Sequence, residues 1–245
     1  MAENDGEMKN EKGFPWKKRK GKEKIEEEEK GSDPLVKFGS DVMFIILSFL
    51  DARSVALSLV VSRGWYGVAS SDRLWSNLCE KLWVQKAHIP RISQARGLSK
   101  LQAYSLSVMD GKRTRIMKED LWDHAWEFHY NMVAPEYFRD LDPYWKGTGR
   151  LMRRYFHPDG SQTADANDMI WGGHEACYCV VTSFLDGGQI RDHYVRINRW
   201  PQLCVTRKED WSWEMSNHLY SYTSIQDAYK KGGTGPLFPD FRFTA

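Results

Sequence analysis

The chain has 245 residues, of which 41% are hydrophobic and 13% aromatic, and this composition predicts a folded body of one or two domains. A formal net charge of +2 is too small to predict a polyanionic partner, and the four cysteines are too few and irregularly spaced for a disulfide framework. No apolar run approaches the roughly 18 residues of a membrane span, and no leader-like apolar segment opens the chain. We therefore expect a reduced, intracellular protein without a membrane partner.

Residues 1–33 form a charged segment that is too poor in apolar residues to offset the entropy of ordering, so we expect it to be disordered. It contains a basic cluster typical of a nuclear import signal, Lys17, Lys18, Arg19 and Lys20. The same cluster would also suit loose nucleic-acid binding or a solubilising tail. Localisation in the nucleus, the cytoplasm or both is the resulting expectation.

Residues 34–83 have helical periodicity. Val42, Ile45, Ile46, Phe49 and Leu50 recur at three- and four-residue spacing, and Ser40 or Asp41 lies where an N-cap belongs. A second apolar series runs through residues 55–61. Together they carry more hydrophobic surface than a motif of about 45 residues can bury within itself, so part of it should contact another chain.

These residues resemble the F-box family, whose pattern is Leu-Pro-x-Asp/Glu, Ile-Leu-x-x-Leu, Val-Cys-x-x-Trp and a closing Leu-Trp. Residues 38–41 read FGSD, 46–50 read ILSFL, 61–65 read VSRGW and 74–75 read LW. Three positions depart from the pattern: Phe38 replaces Leu, Gly39 replaces Pro and Ser62 replaces Cys. Gly39 lacks the fixed φ that proline would supply, which would weaken adaptor binding.

The resemblance implies a plant-type F-box protein without a repeat domain, acting as substrate receptor in a Skp–cullin–F-box (SCF) ubiquitin ligase. Such a subunit is not an enzyme and needs no cofactor. Its implied partners are a Skp-type adaptor, a cullin bound through that adaptor, and an unknown protein substrate. The adaptor contacts that carry over by position are Phe38, Gly39, Asp41, Leu47, Leu50, Val61, Trp65 and Trp75.

The rest of the chain predicts a helical linker over residues 84–118, an antiparallel β domain over 119–228 and an extended tail over 229–245. A hairpin is the strongest strand signal: Cys177–Leu185 and Gln189–Asn198 flank the turn Asp186-Gly187-Gly188. Further strands are expected at 125–132, 203–205, 211–215 and 219–222. The fold class is therefore α+β, with a short-helix F-box bundle followed by six or so strands in a barrel-like sheet or a sandwich.

Few residues of the β domain suggest chemistry. His174, Cys177, Cys179 and Cys204 are the candidate zinc ligands, but no second metal-binding pair supports them, and buried core thiols are the favoured interpretation. No nucleophile elbow or phosphate-binding loop is present, so we expect neither a metal site nor catalysis.

Aromatic residues are the more informative set, because they crowd the second half of the chain. Most should be core, but Trp126, Trp171 and Trp213 could line a cleft for a substrate or a pocket for a small ligand. The alternative function is a nuclear nucleic-acid- or ligand-binding module. Nucleic acid is the less favoured partner, since acidic residues interrupt the basic ones, as in residues 207–210.

Overall fold

The computed structural model describes residues 33–149, 152–171 and 176–225. The basic cluster at 17–20 and the expected tail at 229–245 lie outside these ranges. The chain divides into two compact units, with the boundary between Ala69 and Ser70. The predicted domain limits at 83, 118 and 228 stay predictions.

In the described part of the first unit, residues 33–69, there are three helices: α1 (Pro34–Ser48), α2 (Ala52–Ser58) and α3 (Arg63–Ala69). An aspartate caps each of the first two helices, since the Asp33 carboxylate accepts a hydrogen bond from the Leu35 amide, and that of Asp51 from the Ser54 amide, both at 2.9 Å. Hydrogen bonds from the Ser54 side chain and amide lower the pKa of Asp51. The cap is therefore charged at neutral pH.

Gly39 interrupts α1 with a non-helical backbone, φ 77° and ψ 170°. Helical backbone resumes at Ser40, so the residue that precedes it is Gly39, and neither Ser40 nor Asp41 is the N-cap that the sequence pattern predicted. Pro34–Phe38 forms an additional segment that this pattern did not indicate. This backbone conformation is essentially restricted to glycine. A proline, fixed near φ −65°, cannot adopt it, so the departure from the family pattern at this position is a departure in backbone geometry.

We expect Gly39→Ala to lower the free energy of unfolding by about 1–3 kcal/mol, because the side chain strains a backbone that only glycine tolerates. A Cβ at Gly39 meets no atom within 4 Å, so the loss would report strain alone. Gly67→Ala is the matched control: its Cβ also meets nothing, but its backbone is helical, and alanine there should stabilise by up to about 1 kcal/mol. Urea unfolding measures both variants, and equal effects would contradict the assignment of strain.

The second unit begins with helices α4 (Asp72–Trp83), α5 (Lys100–Gly111) and α6 (Lys118–Asp123), and a 3₁₀ turn at Arg91–Gln94. Helices α4 and α5 pack through the Trp75 and Tyr104 rings, whose centroids are 5.2 Å apart. The Trp83 indole donates to the Ser107 hydroxyl at 3.0 Å. The predicted linker therefore contains a helix that packs on α4.

Eight strands follow and close into an antiparallel barrel in which sequence neighbours pair and β1 also pairs with β8. The strands are β1 (Ala125–Tyr130), β2 (Met152–Phe156), β3 (Ser161–Ala164), β4 (Ala176–Phe184), β5 (Ile190–Ile197), β6 (Leu203–Arg207), β7 (Trp213–Ser216) and β8 (Tyr220–Ser224). Short helices α7 (Glu136–Leu141) and α8 (Pro143–Lys146) lie between β1 and β2. The α+β class and the barrel are confirmed, and the sandwich alternative is wrong.

The barrel interior is filled from one end by large side chains that alternate inward along the strands. The fully buried members include Trp126, Phe156, Val195, Leu203, Trp213 and Met215. Aromatic rings dominate this core, as the sequence predicted for most of them. Within the described residues, no helix is long and apolar enough to cross a membrane.

Candidate functional site

The first unit exposes an unusual amount of apolar surface for its size. Its exposed large hydrophobic residues, called the apolar surface below, are Val36, Phe38, Val42, Ile45, Ile46, Phe49, Leu50, Leu57, Val60, Val61 and Tyr66. A contiguous stretch of sequence with this many exposed apolar side chains is typical of an interaction site. The surface agrees with the expectation that residues 34–83 carry more hydrophobic area than they bury.

Asp33 links the two ends of the first unit. Its Oδ1 atom accepts hydrogen bonds from the Leu35 amide and from the Trp65 indole, each at 2.9 Å. Beside Trp65, a Cβ added to Gly64 would lie 2.8 Å from Leu35, so glycine allows α3 to approach the start of α1. The half-buried Trp65 therefore holds the unit together, whatever it contacts in a complex.

The predicted adaptor contacts occupy two kinds of position. Phe38, Gly39, Asp41, Leu50 and Val61 are exposed. Two others, Leu47 and Trp75, are each only 1% exposed and belong to cores of the free chain. Because they are buried, these two residues would support neighbouring contact residues without touching a partner themselves. The contact role of all eight residues stays a prediction.

The eight predicted adaptor contacts do not include the most exposed members of the apolar surface, although the two apolar series in the sequence contain them. Phe49 is 84% exposed and Val60 82%, and Leu57 is also well exposed. The sequence indicated that some of them are exposed, because consecutive apolar residues cannot all lie on the one buried face of a helix. Residues 59–61 contain such a run.

A second candidate site is a cavity of about 150 Å³ at one end of the barrel. Of the three tryptophans proposed for substrate binding, Trp171 lines this cavity. Trp126 and Trp213 are fully buried in the barrel core, and the Trp126 indole donates to the Leu121 carbonyl at 2.9 Å. These two residues therefore have no surface to offer a partner in this structure.

A stacked histidine pair is buried in the second unit. The centroids of the His88 and His124 rings lie 3.7 Å apart, and His88 Nε2 is 2.9 Å from the Ser224 hydroxyl oxygen. His124 Nδ1 is buried without a hydrogen-bond partner among the described residues. Burial, followed by the positive charges of His88, Arg207 and nearby arginines, lowers the pKa of His124 well below its usual value.

The lowered pKa of His124 predicts acid sensitivity. As pH falls below about 6.5, the unfolded chain binds a proton that the folded chain does not, so stability is highest above that pH and decreases below it. The expected loss is up to about 1.4 kcal/mol per pH unit, measured by urea unfolding between pH 7.5 and 5. His124→Phe keeps a ring in the stack and should flatten this dependence, whereas His218→Gln, at an exposed position, should not. An unchanged slope in His124→Phe would contradict the assignment.

The expectation that the β-domain cysteines are core residues is wrong. Cys177, Cys179 and Cys204 are exposed free thiols, because Ala176 and Tyr178 take the inward positions of β4. His174 lies outside the described residues. Within the described ranges, no group of three or more histidine, cysteine or acidic residues is placed to hold a metal ion.

Comparisons with known proteins match part of the chain. The model of the family described as F-box-like matches residues 40–81. The probable E3 ubiquitin ligase complex SCF subunit sconB of Emericella nidulans is 30% identical over 95 residues, 39% of this chain and 12% of that protein. F-box protein GID2 of Oryza sativa subsp. japonica is 36% identical over 70 residues, 28% of this chain and 33% of that protein.

F-box/WD repeat-containing protein 15 of Mus musculus is 48% identical over 42 residues, 17% of this chain and 9% of that protein. The chain thus spans between 9% and 33% of the lengths of these three relatives. No solved structure matches. Residues 40–81, which display most of the apolar surface, are thus the part of the chain that is similar to the F-box-like family.

Proposed function

We propose that the chain is the substrate-recognition subunit of an SCF-type E3 ubiquitin ligase. The F-box-like match and the three relatives whose names place them among SCF subunits or F-box proteins support this role. The observation that carries it is the apolar surface, most of which lies within the part of the chain that the family model matches. A Skp-type adaptor is the partner for that surface, with a cullin bound through the adaptor.

The apolar surface has the composition of a stable interface. Such interfaces bury about 800 Å² per partner around a few aromatic and aliphatic anchors. Phe38, Phe49, Leu50, Leu57 and Val61 are exposed and would supply those anchors. Since charged groups are sparse among them, adaptor binding should depend little on salt.

The second unit takes the role of target recognition. The chain would contribute positioning instead of catalysis, because holding a target near a ubiquitin-loaded enzyme raises its effective concentration. The target is a protein, and the basic cluster at 17–20 supports action in the nucleus, the cytoplasm or both.

Copurification with a Skp-type adaptor tests this function. The full chain, coexpressed with the adaptor, should elute as an equimolar complex in size-exclusion chromatography at both 0.15 M and 1 M NaCl, concentrations chosen to span weak and strong screening. Absence of the complex, or its loss at 1 M NaCl, would contradict the proposal. Salt-sensitive binding of nucleic acid by the same sample would favour the alternative nucleic-acid module.

A further inference from the structure

The cavity in the barrel lies at the end where β1 finishes and β8 begins. It is lined by residues from six strands and two loops: Phe128, Tyr130, Arg154, Gln162, Ile170, Trp171, Ala176, Ile197, Asn198, Trp200, Tyr220 and Tyr222. In eight-stranded barrels the interior is just wide enough to be filled by side chains or to hold one small ligand. Here side chains fill one end, and the other end retains about 150 Å³ of space.

Arg154 is the charged residue that lines the cavity, and its charge is already neutralised. Its guanidinium, 2% exposed, forms an ion pair with Asp168. The other oxygen of Asp168 accepts the Ile170 and Trp171 amides at 2.9 and 2.8 Å, which fixes Trp171 beside the guanidinium. A buried charge that is already paired gains little from a second counter-charge. The site therefore favours a neutral ligand over an anion.

Aromatic faces supply most of the cavity wall. The Arg154 guanidinium carbon lies 4.6 Å from the centroid of the Phe128 ring and 5.3 Å from that of the Trp171 ring, so the guanidinium is within cation–π range of both rings. Burial raises the pKa of Tyr130 and of Tyr220 to about 12, which keeps their hydroxyls neutral at physiological pH. A flat ring would contact such walls over its whole face.

Gln162 supplies an unsatisfied hydrogen-bond acceptor. It is 2% exposed, and its amide oxygen has no partner within the described residues, while its amide nitrogen donates to the Tyr222 hydroxyl at 3.4 Å. An unpaired buried carbonyl is destabilising, so structures normally provide it with a donor. A ligand that carries an N–H or O–H group would do so.

We propose that this cavity binds a neutral, single-ring aromatic molecule that donates a hydrogen bond to the amide oxygen of Gln162. A cavity of this volume is large enough for one benzene-sized ring. Asn198 and Trp200 also line a hollow on the outer surface, so the cavity and this hollow share part of their walls. The proposal is independent of adaptor binding and adds a small-molecule site to the proposed function.

The test compares phenol with fluorobenzene, which has a similar shape but no hydrogen to donate. With the full chain in isothermal titration calorimetry, phenol should bind saturably with a dissociation constant on the order of 0.1–1 mM. Gln162→Leu removes the hydrogen-bond acceptor and replaces it with an apolar side chain of similar size. It should lower the ratio of phenol affinity to fluorobenzene affinity by at least about tenfold.

Two further variants test the location. Ala176→Phe fills the cavity and should abolish binding of both compounds, whereas Cys179→Phe points outward from the same strand and should leave both unchanged. The proposal is overturned if the folded wild-type chain binds neither compound, if Gln162→Leu leaves the affinity ratio unchanged, or if benzoate binds more tightly than phenol. Since Gln162→Leu conserves packing, the affinity ratio in this variant tests the proposed site even if Ala176→Phe fails to fold. Adaptor binding, measured on the same samples, should not change.

Discussion

A chain carrying Leu50→Glu and Val61→Glu should bind a Skp-type adaptor at least about 100-fold more weakly than the wild type. Both residues are exposed members of the apolar surface and both belong to the predicted adaptor contacts. Placing a carboxylate in the desolvated centre of an interface costs about 2 kcal/mol or more at each position, which multiplies to a loss of this size. Surface plasmon resonance with immobilised adaptor measures the change.

The matched control carries the same two new charges elsewhere. Met132→Glu with Phe184→Glu alters exposed apolar residues of the second unit and should change adaptor affinity by less than about twofold. We avoid Trp65 as a test position because its hydrogen bond to Asp33 supports the first unit, so its loss would confuse folding with binding. Equal losses in the two double variants would refute the interface assignment.

The second large effect concerns the barrel core. Phe156→Ala should lower the free energy of unfolding by about 3–5 kcal/mol, the usual cost of truncating a fully buried aromatic ring. Phe156 is 0% exposed, and its ring lies 5.0–5.9 Å from those of Trp126, Tyr178 and Tyr222. Urea unfolding followed by tryptophan fluorescence measures the loss.

Phe184→Ala is the control for this truncation, since it makes the same chemical change at an exposed residue near the hairpin turn. Its effect should stay within about 0.5 kcal/mol. Similar losses in the two variants would mean that Phe156 does not occupy the centre of the core. Phe156 is not among the residues that line the cavity. The unfolding experiment on Phe156→Ala and the phenol titration therefore test different features of the barrel.

The sequence was most informative where a short-range pattern decides the structure. The β4–β5 hairpin was predicted almost to its ends, because Asp186-Gly187-Gly188 follows an apolar run and both glycines adopt positive φ. The helices of the F-box-like domain followed from the spacing of apolar residues and from family resemblance. Such signals depend on neighbours along the chain, which the sequence displays directly.

Long-range packing explains the failures. Strand β2 contains Arg153 and Arg154, and strand β3 reads SQTA, so neither resembles a strand with a simple apolar face. They are strands because β1 and β4 pair with them, and Arg154 is tolerated inside because Asp168, distant in sequence, neutralises it. The cavity depends on this same pairing, so composition alone could not reveal it.

The exposed cysteines and the buried tryptophans were misassigned for a related reason. A strand's alternation indicates two faces but not which of them points inward, and Tyr178 takes the interior in β4 where Cys177 and Cys179 were expected. Likewise Trp126 and Trp213, grouped with Trp171 as ligand contacts, lie in the filled end of the barrel. Choosing between faces requires the completed barrel.

The pairing of β1 with β8 restricts how the proposed receptor could capture a target. Each described strand of the barrel already has a hydrogen-bonded neighbour on both sides, so an extended peptide cannot join the sheet as an additional strand. Under the proposed function, recognition would instead use side chains at the ends of the barrel or on its outer wall. Deleting residues 220–224 would expose the backbones of β1 and β7 together, and we expect such a shortened chain to self-associate through those freed strands.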